Sequence, residues 1–150
     1  HYIDIKSKSL GTLIDNLKNK YIVEIISISV GSDYQSLIDK ILNCEYIISS
    51  SLHGVMMGII YNKKTIFVQF SNNVVGDLFK FEDFFESIGI SYKVKNTYDD
   101  NLLENIISYD LNKLKDISIG MINICPFINN KQALINKCNE YYKIIINKKN

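Results

Sequence analysis

The sequence predicts an α/β fold: one Rossmann-like domain over residues 1–150, with a mainly parallel sheet flanked by helices. Three observations predict it. Short apolar runs rich in β-branched residues alternate with stretches whose apolar residues recur at helical spacing. The apolar runs are continuous rather than alternating, which is the pattern of strands covered on both faces. No internal repeat, low-complexity block or Pro/Gly/Ser linker interrupts the 150 residues, a length that forms a single core. The right-handed crossover rule then favours the doubly covered, Rossmann-like arrangement.

Taken in order, Leu10, Leu13, Ile14 and Leu17 lie at helical spacing and predict a helix over 8–19. Residues 21–29 (YIVEIISIS) read as a strand. The Gly31-Ser32-Asp33 break supplies a cap, Ser32 or Asp33, for a helix over 34–43, where Leu37, Ile38, Ile41 and Leu42 share a face. Residues 45–49 (EYIIS) predict a brief strand, 52–61 a helix and 64–70 (KTIFVQF) a second strand. A polar loop over 71–77 leads to an aromatic helix around 80–88, in which Phe79, Phe81, Phe84 and Phe85 form a packing face. A short strand at 92–95 follows, with helices over much of 99–125 and 130–146, so that residues from about 111 to 150 form a helical tail.

Composition removes several function classes. The chain is 47% hydrophobic with a formal charge of +1, which excludes disorder and broad electrostatic capture of nucleic acid. No apolar run reaches the ~18 residues that span a bilayer, so no integral membrane segment is expected. All 17 basic residues are lysine. Any anion site must therefore rely on lysine, histidine, hydroxyls or backbone N–H groups, since the bidentate guanidinium fork is absent. Cys44, Cys125 and Cys138 form no C-x-x-C pair, and an odd count argues for reduced, intracellular thiols. The histidines, His1 and His53, lie beside no cysteine at ligand spacing, so no metal site is expected.

The chemistry-bearing stretch runs from Ile47 to Gly89. A buried strand ends in Ser49-Ser50-Ser51, and a helix begins near Leu52-His53-Gly54. Such a junction lies at the carboxyl end of a parallel strand, where ligands of open α/β sheets collect. Free N–H groups at the helix start suit a phosphate or carboxylate. His53 falls in the first turn beside that anion, and Gly54 permits close approach of backbone or ligand. Each part also has a plainer explanation: serines before a helix cap it, a lone histidine satisfies hydrogen bonds, and Met56 and Met57 fill a core.

The motif set SSSLHG, the apolar helix after it, the strand ending VQFSNN and the block VVGDLFKFEDFFESIGI together resemble the polysaccharide pyruvyl transferase family. The opening HYIDIKS resembles the start of that family's second half. The resemblance covers residues 1 to about 90 well and the tail weakly. It implies two Rossmann-like halves facing across a cleft, similar to the GT-B architecture, with this chain as the C-terminal half and an N-terminal half as its missing partner. It implies transfer of a pyruvyl group from phosphoenolpyruvate, the donor substrate, to two hydroxyls of a glycan acceptor. The product is a ketal in capsular, exopolysaccharide or cell-wall glycan, and no cofactor is needed. The fragment alone is then expected to be inactive, because the cleft needs both walls.

Carried onto this sequence, the resemblance makes His53 catalytic. It places Ser49, Ser50, Ser51, Leu52, Gly54, Ser71, Asn72, Asn73 and Lys80 at the substrate. Two positions depart from the family's pattern: Ser51 stands where many relatives have arginine, and Asn73 where some have lysine. Neither can neutralise a phosphate's charge. Location is expected to be cytoplasmic, with a weak peripheral contact at the inner membrane face left open. Two readings compete. One is a nucleotide-sugar-dependent glycosyltransferase domain, for which Asp77 and Glu82 are the available carboxylates. The other is a non-catalytic glycan-binding or scaffold domain on a decayed site. In the tail, Leu134, Cys138, Tyr141 and Ile145 fall near one helix face, which suits docking on the domain or on the missing half.

Overall fold

Residues 46–67 form a parallel β-α-β unit. The computed structural model describes residues 8–26, 33–70, 78–92 and 102–147. Strands β1 (Tyr46–Ser49) and β2 (Lys64–Phe67) pair in parallel, with Tyr46 opposite Lys64 and Ser49 opposite Phe67. Helix α3 (Leu52–Ile60) makes the crossover between them and packs on both strands. The pairing runs past the strand ends: the Lys64 amide donates to the Glu45 carbonyl at 3.1 Å, and the Val68 amide to the Ser49 carbonyl at 3.0 Å. Thr65, Ile66, Phe67 and Val68 are fully buried, as expected for a strand covered on both faces.

The helix ends follow their capping chemistry. Helix α1 covers Lys8–Lys18 and α2 covers Tyr34–Asn43. The Asp33 side chain caps α2 by accepting from the Ser36 amide at 3.2 Å; Ser32 lies outside the described residues. Ile41 is buried while Leu42 is exposed, so the apolar face of α2 is narrower than its spacing predicts. At the end of α3, Asn62 takes φ 52°. The Asn62 and Lys63 amides bond back to the Ile59 and Gly58 carbonyls at 3.0 and 2.8 Å, a left-handed closure that asparagine tolerates.

The strand expected at 21–29 is not formed in its described part. Residues 21–26 carry no ladder pairing, and Ile22 and Ile25 are exposed. A β-branched run becomes a strand only where a partner edge accepts it; here the segment instead reaches its surroundings through side chains. Glu24 pairs with Lys40 at 2.8 Å, and Tyr21 lies 6.2 Å from the Tyr46 ring. Residues 27–29, and the polar loop at 71–77, lie outside the described residues. Tyr92 carries no strand either, and 93–95 lie outside the described residues.

The chain divides into two units, residues 1–81 with 93–107, and residues 82–92 with 108–150. In the first, Ile66, Val68 and Leu102 form a buried cluster against which Leu13, Tyr46, Ile48, Phe70 and Leu103 pack. The rings of Phe67 and Phe81 stack with centroids 4.0 Å apart. Helix was expected across much of 99–125, and α5 (Leu111–Ile124) supplies it over the later part; before it, a single 3-10 turn, Leu102–Glu104, is followed by irregular chain. The reason is visible at Ile107, whose amide donates to the Thr65 carbonyl of β2 at 2.8 Å and so is unavailable to a helix.

The second unit holds most of α4 (Phe79–Ser87), with α5 (Leu111–Ile124) and α6 (Lys131–Asn147). Gly89, at φ 67°, closes α4. The Asp110 carboxylate caps α5 by accepting from the Asn112 amide at 2.8 Å. Asn130 caps α6 by accepting from the Ala133 amide at 3.0 Å. Leu111, Leu114, Tyr142 and Ile145 are buried, and the Ser118 and Tyr142 hydroxyls meet at 3.2 Å. No helix among the described residues is long and apolar enough to cross a membrane.

Candidate functional site at the β1–α3 turn

Six of the residues singled out in the sequence, Ser49 through Gly54, form one continuous turn from the carboxyl end of β1 into α3. The turn is built outward from Ser49. Its carbonyl is fixed to β2 through Val68. Its hydroxyl folds back over the turn, accepting from the Ser51 amide at 3.1 Å and donating to the Ser51 carbonyl at 3.1 Å. Ser50 is 3% exposed, so the middle of the turn is inside the protein.

Ser51 occupies the cap position of α3 with extended backbone, φ −105° and ψ 135°, yet its side chain caps nothing. The capping role expected of the serines is thus not taken by the residue at the cap. The first intrahelical bond joins the Val55 amide to the Ser51 carbonyl at 3.0 Å. The amides of Leu52, His53 and Gly54 precede it, and none of the three has an acceptor among the described residues. Unsatisfied first-turn amides carry the positive end of the helix dipole and attract anions.

His53 is exposed on the first turn of α3, while Val55, Gly58 and Ile59 are buried on the opposite side. Met56 and Met57 are half-buried, in keeping with core filling. Gly54 does admit a close approach, but the group that approaches is internal. A Cβ at position 54 would collide with the Ser49 hydroxyl and lie 2.9 Å from the Ser49 Cβ. Sequence reading ties a glycine here to something close by, but the identity of that neighbour depends on the Ser49 rotamer, which no spacing pattern encodes.

The remaining sequence candidates are separate from this turn in the chain. Ser71, Asn72 and Asn73 lie outside the described residues, as does Asp77. Lys80 is half-buried on α4, with its ammonium 5.4 Å from the centre of the Phe81 ring, a distance at which a cation is attracted to the ring face. Glu82 is exposed.

Among the described residues, no three His, Cys, Asp or Glu side chains cluster as metal ligands would. Cys44, Cys125 and Cys138 are free and half-buried. Burial pushes the Cys44 thiol up, partly offset by the nearby Lys63 charge. Cys138 is likewise raised by burial, with Lys115 acting in the other direction. Neither thiol is activated as a nucleophile, which would require a depressed value.

Residues 2–72 match a family model described as polysaccharide pyruvyl transferase. The match ends just beyond β2 and contains the whole β1–α3 turn. Searches of curated proteins and of solved structures returned no match.

Proposed function

We propose that the chain, whose residues 2–72 match the polysaccharide pyruvyl transferase family model, receives phosphoenolpyruvate at its β1–α3 turn and serves pyruvyl transfer to a glycan. The observation that carries this reading is the trio of amides at Leu52, His53 and Gly54 that have no acceptor among the described residues, with the exposed His53 imidazole among them. An anionic donor fits that arrangement: the amides take a phosphate or carboxylate, and the imidazole adjoins the bound anion.

In the proposed chemistry, a proton is added to the methylene carbon of the enol, generating a methyl group and a cationic centre at C2. A sugar hydroxyl attacks C2 and loses its proton. Departure of inorganic phosphate regenerates a cation at C2, and a second hydroxyl attacks C2 and gives up its proton to close the ketal. His53 acts as the acid, toward either the enol carbon or the departing phosphate, because it is the side chain of this turn that can carry and deliver a proton. Ser50, Ser51 and Leu52 belong to the turn that meets the donor, and the family resemblance assigns Lys80, Ser71, Asn72 and Asn73 to the substrate as well. No cofactor or metal is invoked. The charge that Ser51 and Asn73 cannot neutralise falls to a facing half in the two-domain, GT-B-like arrangement, with a Rossmann-like sheet in each half. The acceptor belongs to capsular, exopolysaccharide or cell-wall glycan, and the reaction is assigned to the cytoplasm.

Calorimetric titration with phosphoenolpyruvate, on wild type and His53→Ala, tests the reading. Saturable binding that weakens in the variant supports it. No binding at millimolar donor, with a nucleotide sugar bound instead, overturns it in favour of glycosyl transfer. Failure of both ligands leaves a non-catalytic glycan-binding domain as the better description.

A further inference from the structure

Ser49 was expected to touch substrate, yet both faces of its hydroxyl are already engaged, by the amide and the carbonyl of Ser51 at 3.1 Å each. Its backbone is engaged as well, through the bond from Val68 to its carbonyl. The side chain rests against the bare Cα of Gly54, where any Cβ would collide with it. Ser49 therefore ties three things together: the end of the sheet, the cap residue of α3 and the third residue of that helix.

On this geometry we propose that Ser49 is a positioning residue and Gly54 its steric counterpart. The hydroxyl holds Ser51, and through it the amides of Leu52, His53 and Gly54, in the orientation that meets an anion, without contacting the anion itself. The inference rests on the reading of this turn as a phosphoenolpyruvate site and assigns a role within it. Its physical basis is preorganisation: a turn already held in the binding geometry loses less freedom when the ligand arrives. Substituting either partner disturbs the same hold, Ser49→Ala by deleting both hydrogen bonds and Gly54→Ala by displacing the hydroxyl. The two effects are therefore coupled, as they are for any pair acting as one unit.

The test is a phosphoenolpyruvate titration of the isotopically labelled full chain, followed at the backbone amides of Leu52, His53 and Gly54. It is run on wild type, Ser49→Ala, Ser49→Thr, Gly54→Ala and the Ser49→Ala/Gly54→Ala double variant. Loss of two neutral hydrogen bonds predicts a Kd raised about tenfold by Ser49→Ala. Gly54→Ala is expected to raise it to a similar extent, the double variant no further than either single change, and Ser49→Thr, which keeps the hydroxyl, to bind as wild type does. A Kd unchanged by Ser49→Ala overturns the proposal. So do losses that multiply in the double variant, because they would mean that the hydroxyl contacts the ligand independently of Gly54. Wild-type amides that do not move with phosphoenolpyruvate or with inorganic phosphate overturn both this role and the reading of the turn on which it rests. The amide protection of Ser51 against hydrogen exchange in the ligand-free chain separates a variant that has lost the hold from one that has lost its fold. Protection falls at Ser51 alone in the first case and throughout β1 and β2 in the second.

Discussion

Gly58 lies directly against Thr65: a Cβ added to the glycine would stand 2.9 Å from the Thr65 Cγ2 and closer still to its hydroxyl. Thr65 is fully buried and its hydroxyl donates to the Lys63 carbonyl at 3.0 Å, so it has nowhere to retreat. This contact sets the distance between α3 and β2, and hence how the first turn of α3 sits over the end of β1. Gly58→Ala is expected to destabilise the chain by about 1–3 kcal/mol, the usual cost of overpacking a well-filled interior. Thr65→Ala in the same chain should recover part of that loss. Denaturant midpoints of the two single variants and the double variant measure both effects, and additive losses would show that the two residues do not share one space.

His53 provides the opposite case. Its side chain is exposed on α3, and no hydrogen bond or ion pair with another described residue holds it. His53→Ala should therefore leave the melting temperature close to that of wild type, since exposed substitutions usually stay within about 0.5 kcal/mol. Phosphoenolpyruvate binding should weaken in the same variant. Thermal melts alongside the calorimetry separate the two, and a marked drop in stability would assign His53 to the fold rather than to the site.

The helices were legible because their signals are local. Leu10, Leu13, Ile14 and Leu17 mark α1 by spacing alone, and Asp33 marks the start of α2 by its capping chemistry. The β1–α3–β2 unit was legible because its strands are short apolar runs around a helix too apolar to be exposed. The strand expected at 21–29 was a false signal in its described part, since Ile22 and Ile25 have strand character but no edge to pair with there. The start of α5 was displaced for a similar reason: the bond from Ile107 to Thr65 spans 42 positions and leaves no trace in local spacing. At the turn, the run of hydroxyls and the glycine pointed to the place. That Ser49, rather than Ser51, carries the hydrogen bonding follows from side-chain geometry that composition does not specify.

Helix α5 begins at a cap that can be tested by itself. The Asp110 carboxylate accepts from the Asn112 amide at 2.8 Å, and a negative charge at this end also complements the helix dipole. Asp110→Ala should cost about 0.5–2 kcal/mol, and Asp110→Asn, which keeps the acceptor but removes the charge, a smaller part of it. Urea unfolding read by circular dichroism compares the two. Equal losses would assign the whole effect to charge.

Tyr109 gives the second unit a characteristic response to alkali. Burial, and secondarily the neighbouring Tyr141 and Tyr142, push its phenol from the usual 10.0 up to about 12; burial raises Tyr142 as well, against a smaller lowering by its Ser118 hydrogen bond. A pKa raised in the folded state means that the folded chain holds the proton where the unfolded chain has released it. The associated stability is complete below pH 10 and is lost as pH climbs toward 12. Stability should therefore fall across pH 10–12, and Tyr109→Phe, which cannot ionise, should flatten part of that fall while Tyr142 sustains the rest. Denaturant midpoints taken between pH 9 and 12 measure the slope. A slope identical in wild type and Tyr109→Phe would mean that the Tyr109 phenol reaches water in the folded chain.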